Sequence, residues 1–304
     1  MKRFSRLVIA ALVLSLCLSS CAFAAITKSV HGGMLAYLGT TEDEFQNAVD
    51  QFHDLLRAYS FAPNPAAFQD HLAVLTAFRD DRHIIHFYDN LTSMLMALNA
   101  GRVDEIMLPE STARYIMKKD NSYRILFTIS MPSSISFGFR AEDTGLCEDF
   151  SKAIASMKED GTFKALEEKY ITNAEENPAA VEFSKIDGAG TITVAVTGDM
   201  PPIDYVDESG NAAGYNTAVL AELGKRMNKN IALLNIEAGA RSAALTSKRA
   251  DVIFWYRNTQ GMTFPEETGF KDANPINSVL KDANEGIILS APYYSWEKTL
   301  MLAK

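Results

Sequence analysis

Residues 287–304, IILSAPYYSWEKTLMLAK, close the sequence on a turn and an apolar run. Pro292, Tyr293 and Tyr294 make the turn, and Thr299-Leu300-Met301-Leu302-Ala303 has the length and composition of a buried strand. Such a strand normally leads into a further element, because its backbone groups need partners. By Lys304 the domain it belongs to is only half laid out. The expectation is that its continuation lies elsewhere in the chain.

Upstream, strand and helix signals alternate without heptads, short repeats or low-complexity tracts, which argues for an α/β fold with largely parallel sheets. Residues 32–41, GGMLAYLGTT, read as a short strand ending in Gly39-Thr40-Thr41, and the acids at 42–44 mark a helix start. Residues 45–82 read as two helices around Phe61-Ala62-Pro63-Asn64-Pro65, with Phe52, Leu55, Leu56, Leu72, Leu75 and Phe78 at helical spacing. His83–Tyr88 is a strand whose two histidines, His83 and His86, face opposite ways and cannot easily share a metal. Further strands are expected at 103–108, 125–129 and 135–139, and helices at 91–100, 111–119 and 150–170, the last broken at Asp160-Gly161. Residues 171–190, polar with Pro178, Gly188 and Gly190, read as a linker. The pattern then restarts: strand 191–197, a turn at Asp199-Met200-Pro201-Pro202, a hairpin around 208–211, helix 217–227, strand 231–236, short helix 242–247 and strand 251–256. Residues 258–285 read as a surface excursion.

The first residues stand apart from this pattern. Lys2, Arg3 and Arg6 precede an apolar stretch from Leu7 to Leu18 and then small residues, the layout of a secretory signal over 1–24. The run is shorter than the ~20 apolar residues a membrane span needs. Two processing routes stay open: ordinary cleavage after Ala22-Phe23-Ala24, or a lipobox, Leu18-Ser19-Ser20-Cys21, that leaves a lipid on Cys21. Without residues 1–24 the 29 basic residues lose Lys2, Arg3 and Arg6 while all 38 acidic ones remain, a net charge of about −12. That opposes nucleic acid and anionic lipid as partners. Cys147 is the one cysteine of the three that both routes keep, so neither an intramolecular disulfide framework nor a cysteine metal cluster is expected.

The stretch TITVAVTGDMPPIDYVDESGNAAGYNTAVLAELGKRM (191–227) resembles the opening of the bacterial extracellular solute-binding proteins of the amino-acid type, family 3. AALTSKRADVIFW is similar to that family's next helix and strand, and LSAPYYSWEKTLMLAK to its Pro-Tyr-Tyr segment and first hinge strand. LAYLGTT, YDNLTSMLMALNAGRVDEIMLPESTARYIMKK and FSKAIASMKEDGTFKALEEKY are similar to its later segments. Here the family's second half comes first. The resemblance therefore implies an α/β, two-lobed periplasmic-binding-protein type II architecture, mixed sheets flanked by helices with a hinge between lobes, circularly permuted. Its parts would be lobe 2 at 26–139 with a helical insertion at about 42–82, helices returning to lobe 1 at 140–171, a linker at 172–190, and lobe 1 at 191–304 ending in a hinge strand. The two ends of the mature chain would meet at the waist.

The resemblance also implies a site between the lobes. Gly39, Thr40 and Thr41 open a helix and suit an anion, with a plain N-cap as the other reading. Asp199, Ile203 and Tyr205 follow the opening strand where relatives place a contact acid and aromatics. Trp255 and Tyr256 would wall the cleft, and Arg257 and Arg241 are the available cations. Two departures stand out: NTQGMTF (258–264) lacks the family's arginine, and Pro109 replaces its ammonium-binding aspartate, with Glu110 next to it. An α-amino acid would then be poorly paired unless Arg257 and Glu110 stand in, so a small organic solute with an anionic or aromatic feature is expected. The function implied is a periplasmic receptor, monomeric and without metal or other cofactor, that delivers its solute to an ABC-type permease. The alternative is a ligand-sensing or degenerate module of the same fold. A dehydratase-like enzyme finds no G-x-S-x-G, H-E-x-x-H or phosphate loop to stand on.

Overall fold

The computed structural model describes residues 28–36, 41–58, 72–174, 180–259 and 286–304. The expectations for the signal, Cys21, Gly39, Thr40, the 61–65 break and residues 260–285 fall outside these.

The chain begins in lobe 2. Strands β1 (Ser29–Leu35), β2 (Arg82–Tyr88) and β3 (Glu105–Pro109) run parallel with β1 in the middle. Helices α1 (Glu42–Ala58) and α2 (Leu72–Asp80) cover one face. Helices α3 (Leu91–Asn99) and α4 (Glu110–Lys119) cover the other. Phe45, Val49, Phe52 and Leu56 recur every three or four residues along α1 and make its buried stripe. Because β2 is the sheet's edge, its outer backbone groups would be bare. Gln46 of α1 accepts from the Ile85 N–H (2.7 Å) and donates to the His83 carbonyl (3.0 Å), and Glu42 accepts from the Phe87 N–H (2.7 Å). One helix thus does the work of a missing strand.

Strand β4 (Arg124–Arg140) corrects the sequence reading, which has two strands at 125–129 and 135–139. They are one 17-residue strand that leaves lobe 2 and enters lobe 1. Pro132 is the reason for the mistaken break, since it cannot donate to a ladder. Lys298 pairs with Ser130 but Trp296 with Ser133, so β4 carries one extra residue there, and the bulge accommodates the proline.

Lobe 1 holds helices α5 (Thr144–Glu159) and α6 (Thr162–Glu167), with Gly161 between them at φ 79°, then parallel strands β5 (Thr191–Val196) and β9 (Asn230–Asn235). A small antiparallel sheet joins β6 (Asp199–Met200), β7 (Asp204–Val206) and β8 (Ala212–Ala213). Helices α7 (Tyr215–Met227) and α8 (Arg241–Thr246), strand β10 (Val252–Thr259) and β11 (Ile287–Leu289) complete the lobe. Phe137, Phe139, Phe150, Tyr215 and Phe254 are its fully buried centre. The described part of the expected linker is docked: Asn230 bonds both backbone groups of Ile186, and Val181 donates to the Ala212 carbonyl.

Strand β12 (Tyr294–Ala303) answers the question of its partners. It runs antiparallel to β4 from Tyr294 opposite Ile135 to Ala303 opposite Arg124, crossing from lobe 1 into lobe 2. There its second half also pairs with β3, Leu302 opposite Ile106. The main sheet is therefore ordered β2-β1-β3-β12-β4-β10-β5-β9, mixed and continuous through the crossing. The ends of the described chain do share one side of lobe 2, with β3 between β1 and β12, two strand spacings or ~10 Å apart. They lie at the outer end of that sheet and not at the waist, because β12 runs the full depth of the lobe before it ends.

Candidate functional site

Three parallel strands in lobe 2 end at the same edge, at Leu35, Tyr88 and Pro109, and helices α1, α3 and α4 begin close by. Helix starts expose backbone N–H groups and positive dipole ends, so this edge favours negative charge. The protein supplies that charge itself. At α1, the Thr41 N–H and hydroxyl both donate to Glu44 at 2.9 Å while the Glu44 N–H donates back to Thr41, a capping box that holds the Glu44 carboxyl below its usual range. At α4, Glu110 occupies the first turn and is paired with Arg114 (2.6 Å).

The α3 start is filled from the other lobe. Asn90 caps its own helix through the Ser93 N–H (2.8 Å), and Asp199 of β6 accepts from the Leu91 N–H (2.6 Å) and the Thr92 N–H (3.3 Å). Burial raises the Asp199 carboxyl, opposed by these two N–H groups. Asn90 also donates to Glu237 of lobe 1 (3.3 Å). Next to Asp199, the Met200 side chain is buried in the lobe 2 core with Leu91, Met94 and Leu300.

The turn that presents Asp199 and Met200 is built on a second acid. Asp204 is fully buried and accepts from the Thr197 N–H and hydroxyl (3.2 Å each) and the Gly198 N–H (3.0 Å). Burial outweighs those bonds and pushes its carboxyl up to about 6. Gly214, at φ 103°, closes the turn's far side; a Cβ there would lie 2.5 Å from the Ile203 carbonyl oxygen. No other residue fits.

Among the described residues, two cavities open between the lobes. One, about 910 Å³, lies between α3 and α4 on one side and residues 198–211 on the other, with Tyr115, Lys119, Asp199, Tyr205 and Glu208 in its wall. A second, about 490 Å³, adjoins it across Tyr115 and is walled by Glu110, Arg114, Glu167, Tyr294 and Trp296. The structure thus brings Asp199 and Tyr205 into one cavity and Glu110 into its neighbour. Thr41 is engaged as an N-cap. Arg241 is buried and donates to the Phe254 carbonyl (2.8 Å), which makes it a support for β10 and corrects its reading as an available cation. Ile203 is core. Trp255, Tyr256 and Arg257 lie on β10 beside a bulge between Ile253 and Tyr256, a feature common near sites, but their side chains are outside the described residues.

Sequence reasoning missed Tyr115, Met200 and Asn90. The last was legible only as one of two possible caps of its helix, with Asp89; Tyr115 read as a position in the 111–119 helix and Met200 as part of a turn. The histidines do part as the strand period requires. His83 stacks on Phe78 (4.1 Å) under α1 and α2, and His86 stacks on His31 (5.3 Å) on the opposite face. Among the described residues no helix is long and apolar enough to cross a membrane.

Residues 192–260 match the sequence profile of the bacterial extracellular solute-binding proteins, family 3, under a quarter of the chain. No curated protein matches the chain in sequence. Among solved structures it is similar to the ligand-binding component of an ABC-type import system from Staphylococcus aureus, with TM-score 0.41 and 9% identity over 91% of this chain and 66% of that one. It is similar also to the periplasmic aliphatic sulphonate binding protein from Escherichia coli (0.38, 10%, 91% and 65%). A periplasmic substrate-binding protein of an ABC transporter from Coxiella burnetii gives 0.36 and 9% over 90% and 84%. The chain spans about two-thirds of the first two proteins' length.

Proposed function

We propose that this protein is an extracytoplasmic solute receptor of family 3 in circularly permuted form, which captures a small organic solute between its lobes and delivers it to an ABC-type permease. The observation that carries this is the cleft: two lobes with separate cores, linked by paired crossing strands, enclose about 910 Å³ next to the segment that matches the family. A volume of that size fits a small solute. Permutation is supported by the placement of β12, a strand of the lobe built first that is contributed by the last segment of the sequence. In this reading the chain is exported as a monomer, and mass spectrometry of the mature N-terminus distinguishes a lipid on Cys21 from a free Ala25. It is a carrier without chemistry of its own, so it needs no cofactor.

Thermal unfolding against a broad metabolite panel tests the receptor. A true ligand stabilises by RT ln(1 + [L]/Kd), about 2.7 kcal/mol at a hundredfold excess over Kd. A degenerate module gains nothing from any compound, and turnover of a stabilising compound would revive the enzyme reading. Trp255→Ala is expected to weaken an identified ligand at least tenfold; unchanged affinity removes Trp255 from the site.

A further inference from the structure

Tyr205 raises the question of what the larger cavity is shaped to hold. The residue is only 9% exposed, it lines the cavity, and its hydroxyl is turned to the Tyr115 side chain without a well-formed hydrogen bond. A buried phenol so weakly paired gains free energy from a ligand group that completes its hydrogen bonding. The ring faces Tyr115 at 6.2 Å, so two aromatic surfaces meet there. Lys119 already rests its ammonium over the Tyr115 ring at 5.1 Å, which shows that this face attracts a cation. The charged residues of the described wall are mostly acidic: Asp120, Asp199, Asp207 and Glu208 against Lys119.

For a carboxylate the described wall offers one cation, Lys119, set among four acids. The α3 N-terminus, its natural anion site, is taken by Asp199 at 2.6 Å. Resting on the receptor reading, we propose that the solute is a small amine without a carboxylate, its apolar or aromatic body against Tyr115 and its ammonium donating to the Tyr205 hydroxyl and facing the rim acids. Lys119 swings off the Tyr115 ring as the ligand's body takes its place. An α-amino acid is excluded by repulsion between its carboxylate and the same acids.

Matched pairs test this on the purified chain: tyramine against tyrosine and cadaverine against lysine, by calorimetry and thermal shift, with 4-hydroxyphenylpropionate as the acid control. The amines are expected to bind at least tenfold tighter than the matching amino acids, and the acid not at all. Tyr205→Phe should weaken tyramine about tenfold with unchanged circular dichroism, and Glu208→Gln, on the exposed rim, a few-fold. If the amino acids or the acid bind as well as the amines, the amine class is overturned while the receptor stands. If no compound of these or of the broad panel binds, both fall. An amine that binds equally well to Tyr205→Phe overturns the placement.

Discussion

Glu105 shows how a single buried acid is set by what surrounds it. It lies on β3 under α1 and α2, with His83 Nε2 at 3.5 Å and both side chains almost wholly buried. Burial pushes its carboxyl up to about 7 and holds His83 down to about 4 and His53 to about 3. Near pH 6 the cluster is therefore largely uncharged, which is how a dry site avoids unpaired charge. The folded state keeps a proton on Glu105 that the unfolded chain gives up between about 4.5 and 7, so this residue's contribution falls as pH rises through that window. The two histidines act oppositely: unfolded imidazoles take protons below about 6.5 that the folded state refuses, and stability falls as pH drops. Glu105→Gln isolates the first effect. Relative to wild type the variant should gain on the order of 2 kcal/mol between pH 4.5 and 7.5 in urea unfolding; a difference that does not vary with pH refutes the assignment. The opposed facing of His83 and His86 was legible from the strand period. The burial of Glu105 was not, since one acid in an otherwise apolar strand carries no mark of which helices will cover it.

At the element scale, two segments act for neighbours that sequence order does not provide. Gln46 on α1 pairs the outer edge of β2, and its loss leaves the Ile85 N–H and His83 carbonyl without their partner. Gln46→Ala should cost about 1–3 kcal/mol in urea unfolding. Gln46→Glu, which can accept from Ile85 but cannot donate to His83, should fall between the two, and equal stability of all three chains would show that water serves the edge as well. Strand β12 is the larger case. Leu300, Met301 and Leu302 are almost fully buried in lobe 2, at about 1.5–3 kcal/mol each, comparable with a whole domain's stability of about 5–15 kcal/mol. Deleting residues 299–304 should leave β3 and β4 with open edges and shift the chain to oligomers or the insoluble fraction on size-exclusion chromatography. A truncated chain that stays monomeric with wild-type stability would show that β12 does not complete the sheet. The strand itself could be read from its apolar run, while its pairing with β3 and β4 could not, since a strand's sequence does not name partners so far away in the chain. The continuity of β4 was hidden because Pro132 argues locally for a break that a bulge makes unnecessary.

For the whole molecule, the relation between the lobes turns on β6. Asp199 was legible as a cleft residue from its place after the opening strand, but the sequence offered no way to see that it reaches the backbone of α3, some hundred residues earlier in the chain. Nor could Met200 be told from a turn residue, since only the closed arrangement buries it in the other lobe's core. Together they make a latch: a carboxylate on a helix N-terminus, worth up to about 2 kcal/mol when partly buried, and a methionine whose burial adds a term of similar size. The arrangement implies that these two contacts by themselves help to hold the lobes together. Asp199→Ala should therefore loosen the α3 start without unfolding either lobe. Hydrogen exchange at the Leu91 and Thr92 amides is expected to rise about 5- to 30-fold, matching 1–2 kcal/mol, while amides in β5 and β9 keep their protection. Adding Met200→Ala should enlarge the radius of gyration measured by X-ray scattering. Unchanged exchange at Leu91 in Asp199→Ala would mean that the carboxylate does not hold that amide in solution, and the latch would be lost with it.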